Sequence, residues 1–298
     1  MTSSLPRGLG LWAGFLDRLP AADAVAGARE LEAAGITTIW LQEYSGVDPF
    51  VRAALYLGAT SRLTVALGVA TIHARDPEAM VAAASTLHEA FPGRFVLGLG
   101  VSHRHLTESR GHNYRAPLET MRTYLADMTA VARRRTLPPI FLGALGPRMT
   151  ELGAHLTAGV HSYFSPVEHT AASRAAVGET AWLAPTQLVC IGAAEAEWRE
   201  PIREYFGLCL GMPNYRRNLA RFGFSPDELE AVDDRLIDAL AVPDTSSELR
   251  ERIEQHRVAG ADHIVLQFIP PPRADVVLRR VAELNIVEPN QEGHLQWA

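Results

Sequence analysis

The chain of 298 residues is 47% hydrophobic and 21% charged, with a formal net charge of −6 and an isoelectric point of about 6.0. This charge argues against a general nucleic-acid or anionic-membrane surface, and no apolar run reaches the ~18 residues that a membrane span needs. The sequence contains no lysine, which excludes both Schiff-base chemistry on a lysine and a lysine-containing phosphate loop.

Eight apolar or β-branched stretches alternate with helical patterns along the chain. Strands are predicted at 7–13, 37–44, 63–71, 94–103, 139–144, 159–164, 186–192 and 262–269. Proline directly after a capping residue begins several of the helices between them, as in Asp48-Pro49 and Asp76-Pro77. A long helix is predicted at about 115–135, two or three helices between 195 and 260, and a closing helix at 273–284.

This alternation predicts a parallel sheet, and eight repeats predict a single (β/α)8 TIM barrel, an α/β domain covering 1–298. An internal repeat supports the prediction, because 34–42 and 259–267 share a helix end, a glycine stop and a buried strand. The helical segment at about 195–260 is then an insertion between strands seven and eight. We expect a loose tail at 289–298.

The carboxyl end of strand four is the first candidate site, because barrels of this kind place ligands at the carboxyl ends of their strands. Gly98 and Gly100 lack side chains, so we expect them to leave space inside the barrel and beneath a flat ring. Ser102 and His103 follow them directly. The strand ends together are aromatic, small and neutral, which suits a large planar ligand better than a bare metal ion.

A metal centre is the first alternative. His103 and His105, with Glu43, His73 or His161, could supply ligands. No aspartate ends a predicted strand, however, and the His-x-His pair has no compact set of carboxylates beside it. We therefore predict no metal site, and a metal-dependent lyase or hydrolase stays a minor hypothesis.

Nucleophilic and disulfide chemistry have little support in the sequence. Ser102 lacks the Gly-x-Ser-x-Gly context of a serine hydrolase. Cys190 and Cys209 form neither a disulfide framework nor a metal-ligand spacing. The first residues show no signal-peptide anatomy, so we expect a cytoplasmic protein.

The turn from Leu145 to Arg148 predicts an anion site. Gly146 leads directly into a helix whose first turn holds Arg148. Free amide groups at a helix N-terminus, together with a guanidinium, bind phosphate groups. An ordinary capped helix start is the structural alternative; the functional interpretation is a cofactor phosphate whose ring lies across strands two to four.

Five segments, in order along nearly the whole chain, resemble the bacterial luciferase-like family of flavin and deazaflavin oxidoreductases. The segments are 94–102 (RFVLGLGVS), 67–77 (LGVATIHARDP), 142–149 (LGALGPRM), 158–164 (AGVHSYF) and 211–224 (GMPNYRRNLARFGF). The pattern is most similar to the subgroup that uses coenzyme F420, a deazaflavin with a phosphate and an oligoglutamate tail.

The resemblance implies a set of cofactor-binding residues. A non-prolyl cis peptide that supports the back of the ring in family members corresponds to Gly68–Val69 here, with Ala70 and Thr71 at the ring edge. Leu145, Gly146, Arg148 and Met149 match the phosphate-binding turn. The whole set implied is Trp12, Gly68, Val69, Ala70, Thr71, Gly100, Val101, Ser102, Ala144, Leu145, Gly146, Arg148 and Met149.

Hydride transfer at carbon five of the deazaflavin is the reaction that the resemblance implies, with Glu43, Tyr44, His73 and His103 as candidate acids or bases. Relatives often have a histidine proton donor where this chain has Tyr44. Val101 occupies a position that is glutamate in sugar-phosphate dehydrogenase relatives, which argues against the same reaction.

Two further hypotheses stay open: an FMN-dependent monooxygenase working with a partner flavin reductase, and a barrel that binds without turnover. The expected partner is a small-molecule substrate of unidentified structure. We expect no nucleic acid and no membrane partner. The resemblance also implies a homodimer.

Overall fold

The structure is a computed structural model that describes residues 5–43, 46–191 and 198–284. Its strands are β1 (Gly8–Trp12), β2 (Thr38–Leu41), β3 (Thr64–Leu67), β4 (Ala70–Thr71), β5 (Phe95–Gly100), β6 (Ile140–Gly143), β7 (Gly159–Ser162), β8 (Trp182–Cys190), β9 (Ala241–Pro243) and β10 (His263–Ile269). Its α-helices are α1 (Ala21–Ala33), α2 (Pro49–Ala59), α3 (Pro77–Ala90), α4 (Arg104–Ser109), α5 (Pro117–Val131), α6 (Pro147–Leu156), α7 (Val167–Val177), α8 (Glu200–Leu210), α9 (Pro213–Arg221), α10 (Pro226–Ala231), α11 (Asp234–Leu240), α12 (Ser246–Val258) and α13 (Ala274–Leu284). Short 3-10 helices cover Gly14–Arg18 and Ala132–Arg134.

The predicted (β/α)8 barrel is confirmed. Neighbouring strands pair in the order β10, β1, β2, β3, β5, β6, β7 and β8, and β8 pairs back to β10, which closes the ring. Every pairing is parallel, as expected when a helix returns the chain between strands. The carboxyl ends of all eight barrel strands therefore meet at one mouth.

Strand three is not one continuous run, and it breaks at the non-prolyl cis peptide bond that the family resemblance implies. It is split into β3 and β4, which flank a cis peptide bond between Gly68 and Val69. β4 pairs only with β5, where Ala70 lies opposite Leu99 and Thr71 opposite Gly100. The strand is thus displaced at the point where it reaches the mouth.

Two other boundaries also differ. β8 begins at Trp182 rather than at 186. Pro185 lies within the strand, opposite Ser162 of β7, and does not interrupt it. The segment between β8 and β10 holds five helices in its described part, α8 to α12, rather than two or three, and a short strand β9 that pairs with β8. The start of this segment and the tail at 289–298 lie outside the described residues.

The barrel interior is filled by an aromatic cluster. Trp40 stacks on Trp182 with ring centroids 6.1 Å apart, and Phe141 tilts against Trp40 at 5.1 Å. The indole N–H of Trp40 donates to Nε2 of His263 at 3.1 Å. This cluster forms a solid floor on which any ligand at the mouth must lie. No helix in the described part of the chain has the length and apolar character to cross a membrane.

Candidate functional site

The Gly68–Val69 bulge forms a raised platform at the mouth. Val69 packs between two glycines of the neighbouring strands: a Cβ placed on Gly100 would lie 2.3 Å from Cγ2 of Val69, and one on Gly143 3.3 Å from Cγ1. The sequence predicts that Gly100 leaves space beneath a flat ring; in the structure the Val69 side chain fills that space. Gly98 does leave space inside the barrel, and the ring of Phe141 fills it.

Glu43 ties this platform to the rest of the barrel. Its carboxylate accepts the N–H of Thr71 at 2.7 Å and forms an ion pair with Arg75. Arg75 also pairs with Asp48, and its carbonyl accepts the Tyr124 hydroxyl at 2.8 Å. The Glu43 side chain is only 7% exposed. Both contacts use the carboxylate as an acceptor, which gives Glu43 a positioning function; its role as an acid or base stays a prediction.

His103 and His73 stand at neighbouring strand ends but in separate surroundings. Nδ1 of His103 lies 3.1 Å from the Asn214 side-chain oxygen, and its ring packs on Tyr215 at 5.5 Å. Burial lowers the pKa of His103, although Asn214 opposes the shift. His73 packs its ring 6.2 Å from that of His112, and burial lowers its pKa as well. Both imidazoles are therefore neutral near pH 7.

A neutral His103 has a defined tautomer in this geometry. Because Nδ1 donates to the Asn214 oxygen, Nε2 carries the lone pair and can accept a proton. Among the described residues no hydrogen bond or ring contact joins His103 to His73, so the two cannot act as one unit. Tyr44 lies outside the described residues.

The predicted anion turn has the expected geometry and an additional cation. Gly146 is the N-cap of α6, and Arg148 is exposed in its first turn. The guanidinium of Arg221, from α9, lies beside the turn: a Cβ on Gly146 would be 3.6 Å from its Nη1. Neither arginine forms an ion pair within the described part of the chain. The Arg221 guanidinium and the α6 N-terminus thus lie side by side, with Arg148 as the second residue of the helix. That this turn binds an anion stays a prediction.

His169 holds this turn from behind. Its Nε2 lies 3.0 Å from the carbonyl oxygen of Leu145, and its Nδ1 lies 3.3 Å from the Ser173 hydroxyl. His169 is only 3% exposed, and burial lowers its pKa, so the ring is neutral and donates through Nε2. In a trans peptide the C=O and the next N–H point in opposite directions. By holding the Leu145 carbonyl, His169 therefore directs the Gly146 N–H the other way.

The α9 helix connects the two halves of the site. Asn214, Asn218 and Arg221 follow helical spacing on one face. Asn214 contacts His103, and Arg221 lies beside Gly146. Asn218, between them, is 1% exposed, and neither of its amide atoms has a partner in the described chain. The site residues predicted from the sequence include none of the three. The family-like segment 211–224 contains all of them and could have indicated them.

The other predicted residues also lie at the mouth. Trp12 ends β1, donates to the Gln42 oxygen at 3.3 Å and tilts against Tyr163 at 5.6 Å. Ser102 adopts a left-handed φ of 58°. Val101, Ala144 and Met149 follow the neighbouring strands β5 and β6. In the described ranges no three His, Cys, Asp or Glu side chains are arranged to hold a metal ion.

Comparison with known proteins agrees with this architecture. A protein of Mycobacterium tuberculosis (strain H37Rv) that carries the name of a coenzyme F420-dependent oxidoreductase is 27% identical over 194 residues, which cover 53% of this chain and 56% of the relative. The chain thus spans little more than half the length of that relative.

Two solved structures share the fold over nearly their full length. The coenzyme F420-dependent tetrahydromethanopterin reductase from Methanopyrus kandleri superposes with a TM-score of 0.75 at 15% identity, covering 94% of this chain and 98% of that one. The oxygenating constituent of 3,6-diketocamphane monooxygenase of Pseudomonas putida, solved with FMN, gives 0.71 at 15% identity, covering 95% and 97%.

The sequence profile of the family described as luciferase-like monooxygenase matches residues 10–263. This range includes the Val69 platform, the Gly146 turn and α9. The chain belongs to the luciferase-like monooxygenase family.

Proposed function

We propose that this protein is a coenzyme F420-dependent oxidoreductase that transfers a hydride between the deazaflavin and a small organic substrate. One observation favours F420 over FMN: Arg148, Arg217 and Arg221 lie on the two helices that frame the anion turn, α6 and α9, without an ion pair to any described residue. FMN carries a single phosphate, whereas F420 adds an anionic oligoglutamate tail that unpaired guanidinium groups suit. The F420-dependent name of the mycobacterial relative supports the same choice.

The residues present fit a flat, phosphate-bearing cofactor. Val69 fills the gap above Gly100 and Gly143, so the platform offers an apolar surface to one face of a ring. The Gly146 helix start, Arg221 and the unpartnered Asn218 amide offer donors to a phosphate. An orphaned buried amide is costly unless a ligand satisfies it.

The chain's own residues prepare the site for hydride transfer. When bound, the deazaflavin supplies a hydride-accepting and hydride-donating carbon. Val69, fixed by Glu43 through Thr71, holds one face and leaves the other to substrate. Trp12 lies beside Gly68 and packs on Tyr163, and the two rings exclude water from the mouth. His103, neutral and with a free Nε2, is the group best placed to hold a proton at that atom.

His169 offers a direct test of the anion turn. We expect His169→Leu to weaken F420 binding by about fivefold to tenfold, because the Leu145–Gly146 peptide loses the hydrogen bond that orients it. His169→Gln, whose amide can still donate to Leu145, should keep most of the affinity. Fluorescence titration with oxidised F420 measures both. Equal affinities for His169→Leu and the unaltered protein would remove His169 from the site.

Turnover tests the proposed activity itself. Reduced F420, supplied without oxygen to a panel of carbonyl, enone and imine compounds, should be reoxidised by the purified protein, with return of the deazaflavin absorbance. Absence of reoxidation across the panel, with F420 nevertheless bound, would favour a barrel that binds without turnover. Oxygen consumption with reduced FMN and a flavin reductase would favour the monooxygenase alternative instead.

A further inference from the structure

A hydrogen-bonded group at the mouth has polar atoms to which the proposed mechanism gives no role. Tyr163 follows β7, Gln267 lies near the carboxyl end of β10, and Tyr205 reaches over from α8. Tyr163 and Val69 both pack against the inner aromatic cluster of the barrel. Val69 follows β3 and Tyr163 follows β7, three strands apart in the ring of eight, so both residues lie at the mouth on well-separated strands.

Tyr205 is the centre of this group, which we call the Tyr205 array: Tyr163, Tyr205, Cys209 and Gln267. The hydroxyls of Tyr163 and Tyr205 share a short hydrogen bond. Gln267 Nε2 donates to the Tyr205 hydroxyl at 3.2 Å, and Cys209 lies one turn along α8. The other amide atom of Gln267, Oε1, is buried and has no partner in the described chain, and Gln267 is 8% exposed.

Among the described residues, the side chains that contact the array carry no charge. The side chains that hydrogen-bond or stack with Tyr163 are Tyr205, Trp12, Tyr215 and Phe164. The electrostatic neighbours of Tyr163, Tyr205 and Tyr215 are cysteine and tyrosine, and burial raises the pKa of each of the three hydroxyls. A carboxylate or phosphate entering here would lose its hydration without a counter-charge, which is strongly unfavourable.

The array can present either a proton or a lone pair to a ligand. A hydroxyl donates once and accepts twice, and Tyr205 always accepts from Gln267. If Tyr205 donates to Tyr163, the Tyr163 proton is free. If Tyr163 donates to Tyr205, Tyr163 offers a lone pair instead. Rotation of the two hydroxyl hydrogens is enough to exchange the two states.

A carbonyl oxygen needs a donor, and an alcohol needs an acceptor for its proton. The two states of the array match these two needs at one position. Hydrogen bonds in such a chain also strengthen one another in a dry environment. The unpartnered Gln267 oxygen adds a second acceptor on the Tyr205 side of the array.

We propose that the Tyr205 array binds the oxygen of an uncharged substrate that alternates between alcohol and carbonyl, with Tyr163 in contact and Tyr205 as a positioning residue. This inference rests on the proposed function only in assuming that a bound alcohol is oxidised or a bound carbonyl compound is reduced. The recognition itself is non-covalent and belongs to Tyr163, Tyr205 and Gln267.

The test uses cyclohexanone, cyclohexanol and cyclohexanecarboxylate as probes, with dissociation constants from ligand-observed NMR on the F420-loaded and the cofactor-free protein. We expect both neutral probes to bind at least about tenfold more tightly than the carboxylate. Tyr163→Phe should weaken both neutral probes about fivefold, the equivalent of one hydrogen bond. Tyr205→Phe should cost a similar factor, and the double variant little more.

Tyr56→Phe is the matched control, since the Tyr56 hydroxyl is buried on α2 without a partner in the described chain. Equal binding of carboxylate and ketone, no saturable binding of either neutral probe, or an unaltered affinity in Tyr163→Phe would each overturn the inference. Failure of the proposed function gives a different result: F420 does not bind, while the cofactor-free protein still discriminates the probes and still responds to Tyr163→Phe.

Discussion

Acidification from about pH 7.5 to about pH 5 is expected to lower the free energy of unfolding by about 5 kcal/mol. The cause is a set of buried histidines that the fold keeps neutral. Burial lowers the pKa of His161 to about 4, and of His256 and His263 to about 3. A loss of this size is comparable to the whole stability of many domains, so the protein should approach unfolding near pH 5.

The free energy of unfolding falls with pH because the unfolded chain binds more protons than the folded chain. A histidine in the unfolded chain has a pKa of about 6.5. Below that pH the unfolded chain binds protons that the folded chain does not, so each histidine removes ~1.4 kcal/mol of stability per pH unit, or about 2 kcal/mol by pH 5. Asp17 acts in the opposite direction, because burial raises the pKa of its carboxyl to about 6. Its protonation in the folded chain returns about 1 kcal/mol after allowance for solvent screening.

Each of the three rings is held by hydrogen bonds that suit a neutral imidazole. His161 Nδ1 lies 2.8 Å from the Ala184 carbonyl. His263 accepts the indole N–H of Trp40 through Nε2. His256 lies between the Thr170 hydroxyl at 3.0 Å and the Gln187 side-chain oxygen at 3.1 Å. Protonation would put a second N–H against an existing donor or into an apolar cluster.

Urea unfolding at a series of pH values measures this dependence. His256→Gln, which keeps polar contacts without a titrating group, should reduce the acid loss by about 2 kcal/mol. His155→Gln is the control, since His155 is exposed on α6, and it should leave the profile unchanged. A stability that stays flat between about pH 7.5 and about pH 5 would contradict the prediction.

Gly98→Ala should destabilise the barrel by at least about 3 kcal/mol, because the new methyl group has no space. A Cβ there would lie 2.0 Å from the carbonyl oxygen of Leu67 and 2.3 Å from the Phe141 ring. The ring could shift, but the carbonyl belongs to a neighbouring strand of the closed barrel. The strands would therefore have to separate directly below the Val69 platform.

Gly207→Ala is the matched control. Gly207 lies within α8, and no heavy atom of the described chain is within 4 Å of its Cβ position. This substitution should stabilise the protein by about 0.5–1 kcal/mol. Urea midpoints at pH 7.5 compare the two variants. Full recovery of stability in the double variant Gly98→Ala/Phe141→Leu would contradict this explanation. It would identify the Phe141 ring, and not the Leu67 carbonyl of the neighbouring strand, as the obstacle.

The barrel could be predicted from the sequence because its signals are local. Each strand is a short apolar run, and each helix start carries its own proline or capping residue, as at Asp48 and Asp76, whose side chains do accept amide N–H groups of α2 and α3. Local sequence patterns gave wrong strand boundaries where contacts between distant parts of the chain determine the structure. By its local pattern the run from Leu63 to Thr71 is one strand, and only the family resemblance marks the cis bond at Gly68–Val69, where β3 and β4 separate. Pro185 argues against a strand, yet β8 passes through it.

The candidate site likewise contains residues that could be predicted from the sequence and residues that could not. Gly146 and Arg148 are neighbours in sequence, so their anion turn could be predicted from one short segment of the chain. Arg221 and Asn214 reach the same mouth from a distant part of the chain, through an insertion whose path no pattern indicates. Glu43 illustrates a third case: its position was predicted, but its ion pair with Arg75 depends on the bulge that brings them together.

The most direct measurement is an equilibrium titration of the purified protein, without oxygen, with oxidised F420 and in parallel with FMN. We predict saturable F420 binding with a dissociation constant of about micromolar or below, and weaker binding of FMN. Arg221→Ala should weaken F420 binding, since its guanidinium lies beside the Gly146 turn. Tight FMN binding with no measurable affinity for F420 would contradict the proposed cofactor and favour the FMN-dependent monooxygenase.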